Sequence, residues 1–179
     1  MEEEVALEID SLLDLGARYL RQIPLTGHYR SKSLELIEFS NKTFYKGQLR
    51  LIPQFEYFRK QQPSITYMRV QEGVWEKNAN VPEAEEVIKL IKLLLEDGKE
   101  NIGVITFNFR QQELIQNLLE ESDMNLPPSL FVKNIENVQG DERDIIIFSV
   151  GYAPSPSGKM RVQFGSLNQT KGENRLNVA

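Results

Sequence analysis

No cysteine occurs in the 179 residues, and histidine and tryptophan occur once each. Without cysteine the chain holds no disulfide framework, no thiolate zinc site and no thiol nucleophile. With His28 as the sole imidazole, a multi-histidine metal site is excluded, and Ser-His-Asp chemistry would have to use that one residue. No apolar run approaches the roughly 20 residues that cross a bilayer. The N-terminus reads Met-Glu-Glu-Glu rather than as a signal peptide, so a cytoplasmic location and no membrane partner are expected. The patterns GxxxxGK[ST] and GxGxxG are missing too, so the chain has no P-loop of its own.

What is present is an ordinary globular composition, 40% hydrophobic and 26% charged, with a formal charge of −5. A chain of this length suits one domain. The acidic balance argues against a stand-alone, charge-driven nucleic-acid binder. The charge is uneven, however. Residues 154–179 carry Lys159, Arg161, Lys171 and Arg175 against Glu173, a net +3, which leaves −8 for the rest. Such a strip reads by default as a solvated loop, although it could touch phosphates.

Periodicity predicts the elements. A moderate helical pattern runs from Glu4 to Leu20 and ends before Pro24. Ser31 is the expected N-cap of a second helix, through Leu34, Ile37, Phe39 and Phe44 to a stop at Gly47. Residues 53–63 read as irregular and Ser64 to Val70 as a short strand. The clearest helix spans Pro82 to Glu96, where Ala84, Val87, Ile88, Ile91, Leu94 and Leu95 recur at helical spacing and Gly98 marks the exit. A strand at Ile102 to Phe107, a helix around Gln111 to Glu121, and strands at Leu130 to Lys133 and Ile145 to Val150 follow. The last is an unbroken apolar run, as in a strand covered on both faces. Ala153 to Gly158, with Pro and Ser clustered, reads as a linker. Alternating strands and helices imply an α/β fold with a mostly parallel sheet, whose ligands sit at the carboxyl ends of the strands.

Four segments could carry chemistry there. Thr26-Gly27-His28-Tyr29-Arg30-Ser31 sets an arginine beside a helix start, where an oxyanion could be met in a fork, with Tyr29 offering a flat face for a base. Otherwise Arg30 pairs with a surface carboxylate and Tyr29 is core. Thr106-Phe107-Asn108-Phe109-Arg110-Gln111 puts hydroxyl and amide groups at a strand end, suited to a sugar–phosphate backbone or simply to a turn and helix cap. Residues 134–144 place five charges and Gly140 between two strands, fit for acid/base work, a metal or a solvated turn. Glu173 to Ala179 looks like the start of a helix cut short. Taken singly, each is weak.

In order, they resemble the second RecA-like motor domain of a superfamily 1 DNA/RNA helicase. The resemblance is closest to the nonsense-mediated-decay-helicase group, in its large bacterial multi-domain form. It rests on "LTGHYRSKSLELIEFSNKTFY", "EAEEVIKLI", "GVITFNFRQQELI", "VKNIENVQGDERDIIIFSVGYA", "FGSLN" and "ENRLNVA". The resemblance implies a three-layer RecA-like domain of P-loop NTPase type over residues 23–179, truncated at its C-terminal end, with residues 1–22 a leading helix. It implies an ATP hydrolase when joined to a first RecA-like domain, which would bring the P-loop and most of the Mg²⁺ ligands; alone the chain is expected to be inactive. Arg30 and Glu142 would be catalytic. Tyr29, Arg30, Gln139, Gly140, Glu142 and Arg175 would contact ATP, while Thr106, Asn108, Gln111 and Asn134 would face single-stranded DNA or RNA. No metal ligand is expected in this chain.

Two departures stand out. The chain ends before the Thr-Arg-Ala-Arg stretch expected after "RLNVA", and Lys171-Gly172-Glu173-Asn174-Arg175 replaces Gly-Gly-Glu-Arg-Arg, which leaves Asn174 without a role. The competing readings are a degenerate RecA-like module that only binds or scaffolds, and a metal-dependent nuclease using Asp141, Glu142 and Asp144.

Overall fold

A computed structural model describes residues 12–31, 33–51 and 63–160, in two compact units, Met1–Thr66 and Tyr67–Ala179. In the first unit the helix α1 (Leu12–Tyr19) leaves Leu12, Leu13 and Tyr19 largely exposed. Strand β1 (Gly27–His28) pairs in parallel with β2 (Arg50–Leu51), with the helix α2 (Leu34–Thr43) between them in sequence. The cap of α2 is Ser33, whose side chain accepts the Glu35 N–H, and not Ser31 as the sequence suggested. Ser31 is drawn back instead, its N–H donating to His28 Nε2 at 3.0 Å.

The second unit is built on a parallel sheet of order β4-β3-β5, comprising β3 (Ile102–Thr106), β4 (Phe131–Asn134) and β5 (Ile145–Ser149). Helix α3 (Val81–Glu96) forms because Ala84, Val87 and Ile91 lie on one buried stripe. Asn80 caps its start, with its side-chain oxygen accepting from Glu83 N, and Gly98 turns the chain away at φ +73°. Helix α4 (Phe109–Glu120), capped by Asn108, buries Ile115 and Leu119. Both helices pack on one sheet face against Ile102, Val104, Val132 and Ile147. Each of these side chains contributes roughly 1.5–3 kcal/mol by leaving water.

On the other face, Ile105, Ile135 and Val138 are buried with Phe107, Phe131 and Ile146 packed against them. Gly103 belongs to this face by alternation, and a Cβ there would stand 2.5 Å from Phe131 Cζ. The aromatic ring fills the room that the missing side chain leaves.

Three expectations change. The strand covered throughout is β3, at the centre. By contrast β5, at the sheet edge among the described residues, leaves Phe148 exposed. Residues 64–70 form no strand, because no partner strand among the described residues lies beside them; Ser64 N donates to Glu35 Oε2 instead, and Tyr67 is exposed. The stretch 153–158 is an ordered turn rather than a linker. Ser155 N donates to Lys159 O, Gly158 N donates to Ser155 O, and Pro154 bridges Met160. Residues 53–62 and 161–179, with the expected contacts of Arg175, lie outside the described residues.

Candidate functional site

Parallel register sets the site. Thr106 pairs with Asn134 on one side and with Ser149 on the other, so three polar residues form a row across the carboxyl ends of the sheet. All three are buried. Thr106 Oγ1 donates to Asn108 O at 3.0 Å, which folds the chain sharply from β3 into α4. Asn134 Oδ1 accepts from Glu136 N at 3.1 Å and starts the short 3₁₀ turn Ile135–Asn137. Asn108 Oδ1 accepts from Gln111 N at 2.9 Å, whereas its buried Nδ2 has no partner.

Behind the row lies a polar lock that sequence reasoning missed. Glu83 accepts from Ser149 Oγ at 2.8 Å, from Gly151 N at 2.9 Å and from Asn80 Nδ2 at 3.2 Å. Gln111 is fully buried, with Oε1 accepting from Asn80 N at 2.7 Å and Nε2 donating to Asn80 O and Ser149 Oγ. The amide that the resemblance directed toward a bound strand thus faces the interior and ties α3, α4 and β5 together. One signal was available: Asn80 followed three residues later by Glu83 has the spacing of a capping box. Gly151 is held at φ +79°, where a Cβ would meet Trp75 Cζ3 at 3.2 Å.

Gln139, Gly140 and Glu142 follow the 3₁₀ turn on an exposed loop. Gly140 takes φ +90°, a conformation that glycine alone adopts without strain, and Asp141 N closes the turn on Val138 O. Asp141 pairs with Lys133 at 2.6 Å and Asp144 accepts from Asn101 at 3.1 Å. Among the described residues no group of three or more His, Asp or Glu could hold a metal ion. With Asp141 paired to Lys133 and Asp144 to Asn101, the arrangement does not favour the nuclease reading.

In the first unit, Tyr29 is 82% exposed, which removes it from any core, and Arg30 is exposed beside it on the turn after β1. The turn depends on the His28 ring accepting from Ser31. Burial first, and the Arg30 charge second, hold the His28 imidazole below its ordinary value. The folded state thus takes up the proton less readily than the unfolded chain. The stability contributed here is present above the ordinary pKa of 6.5 and is lost as pH falls below it. An NMR titration should therefore give a His28 midpoint below 6.5, with the Ser31 amide shift moving at the same midpoint. A Ser31 amide that ignores the titration would count against that bond holding the turn.

A parallel sheet with helices on its flank and polar groups gathered at its carboxyl strand ends defines the α/β RecA-like class. Residues 10–179 match the family described as AAA domain, and the chain belongs to that family. It is 38% identical over 98% of its length to "Uncharacterized ATP-dependent helicase MG140" of Mycoplasma genitalium. It is 37% identical, over the same share, to "Uncharacterized ATP-dependent helicase MG140 homolog" of Mycoplasma pneumoniae. The chain spans 16% of the length of each of these curated relatives. Together these similarities bear out the resemblance to superfamily 1 helicases that the motifs carried. Among the described residues no helix is long and apolar enough to cross a membrane.

Proposed function

We propose that residues 23–179 act as the second motor domain of an ATP-dependent helicase, supplying contacts to ATP across a cleft and part of the track for a single strand of DNA or RNA. The observation that carries this reading is the strand-end row of Asn134, Thr106 and Ser149 with the unpartnered Nδ2 of Asn108 beside it. A buried donor left without an acceptor costs about 1–3 kcal/mol. A phosphate or base oxygen of a bound strand would recover that cost once the turn from β3 into α4 opens to expose the amide.

In this reading Gln139, Gly140 and Glu142 meet the nucleotide from the loop after β4, and Arg30 neutralises charge developing on the transferred phosphoryl group. Mg²⁺ supplies charge neutralisation at the phosphates when bound, from ligands of the first motor domain. Net acidity is compatible with a track held by amides and hydroxyls, since a motor must release and regrip it.

The test is ATP hydrolysis by the complete protein with and without a single-stranded oligonucleotide, in wild type and Asn108→Asp. Aspartate keeps the acceptor that caps α4 and replaces the free donor with an anion. Stimulation by the oligonucleotide, with strand affinity at least about tenfold weaker in the variant, is the expected result. No hydrolysis in the wild type would favour the scaffolding module, and unchanged strand affinity would remove Asn108 from the track.

A further inference from the structure

Arg143 follows Glu142 directly, and an arginine next to a nucleotide loop invites reading as a phosphate contact. Its geometry points inward. Nε donates to Ser129 O at 2.6 Å, Nη1 donates to Glu142 O at 2.7 Å, and the guanidinium carbon lies 4.7 Å from the centroid of the Phe131 ring. Lys133 lies over the same ring, Nζ 5.2 Å from the centroid, while donating to Asp141 Oδ2 at 2.6 Å. Two cations thus share one aromatic ring, and they hold neighbouring residues of the loop, Asp141 by its side chain and Glu142 by the peptide carbonyl that joins it to Arg143. Lys133 acts through the carboxylate and Arg143 through the carbonyl.

The loop needs such a brace. Gln139, Gly140 and Glu142 are exposed, and Ile135 and Val138 are the apolar anchors of the segment. A group that meets a polyanion with useful affinity is best fixed before the ligand arrives, because ordering it afterwards subtracts from binding. Cation–π attraction adds to the hold. The ring can occupy its place because position 103 is glycine.

We infer that Phe131, with Lys133 and Arg143 on its ring, is a positioning post that sets the Gln139–Glu142 loop for nucleotide, and that Arg143 acts through the backbone and touches no phosphate. This rests on the reading that Glu142 meets ATP. Phe131→Leu keeps an apolar side chain but removes the aromatic face. Arg143→Lys keeps the charge but loses the two-pronged donation.

The experiment measures binding of a fluorescent ATP analogue and steady-state hydrolysis in the complete protein, for each variant, the double variant and Glu142→Gln. Each single variant should bind the analogue about fivefold more weakly, with kcat at saturating ATP within about twofold. The double variant should be little worse than either single, because the two residues act as one unit. Additive losses, unchanged affinity in either variant, or a kcat collapse of about 10³-fold in Arg143→Lys alone would overturn the inference; the last would put Arg143 on the phosphate. If Glu142→Gln leaves nucleotide binding and hydrolysis untouched while Phe131→Leu weakens binding, the assignment of Glu142 fails, and the post as proposed fails with it. If Glu142→Gln impairs hydrolysis and the post variants do not change affinity, only the post fails.

Discussion

Replacing Arg30 by alanine in the complete protein is expected to lower ATP turnover by about 10³-fold and to leave single-strand affinity within about twofold. Arg30 is exposed, one residue beyond an exposed Tyr29, on a turn fixed by the Ser31-to-His28 hydrogen bond. A guanidinium stays charged at any working pH and presents paired donors to oxyanion edges, so its contribution is largest where charge develops in the transition state. That predicts an effect on kcat more than on KM. Oligonucleotide binding read by fluorescence anisotropy beside the hydrolysis assay separates the two roles. A parallel loss of both would mean that Arg30 acts on the strand or on the fold, and full turnover would remove it from the nucleotide cleft.

The largest stability loss is expected from Gln111→Leu, at about 2–3 kcal/mol. Leucine is close in volume but strands the buried Asn80 N–H, which donates to Gln111 Oε1 at 2.7 Å. The other partners are partly insured. Asn80 O still accepts from Ala84 N at 3.0 Å, and Ser149 Oγ still donates to Glu83. One orphaned donor therefore accounts for most of the cost. Urea unfolding would measure it. Strand affinity measured where the variant is fully folded should be near that of the wild type, since Gln111 reaches no solvent. A stable variant with lost strand affinity would reverse that reading and return Gln111 to the track.

Gln111 also illustrates what the sequence could and could not convey. The helices α3 and α4 and the strand β3 were legible because their apolar spacing records which side faces the core. The row at the strand ends was reachable through the general rule for parallel sheets. Whether a polar side chain there turns outward or inward depends on partners far along the chain, and Asn80 is 31 residues from Gln111. The cap of α2 shows the same limit at short range. The cap falls on Ser33, two residues beyond the serine that the sequence suggested, and the Ser31 N–H donates to the His28 ring. For β5, composition alone suggested a strand buried on both faces, whereas burial depends on sheet order, which puts β3 at the centre. Lys133 read as the end of a strand and Arg143 as one charge of a metal, acid/base or solvated-turn segment, since nothing in their spacing declares a shared aromatic ring.

Gly103 and Phe131 have a consequence on an evolutionary scale. With the ring 2.5 Å from where a Cβ would sit, neither position can change freely while the other stays. A larger residue at 103 is tolerated once 131 has become small, and a small residue at 131 leaves a void that a side chain at 103 could fill. The two should therefore covary among relatives, and lineages that exchanged the pair must have found another way to steady the loop between β4 and β5.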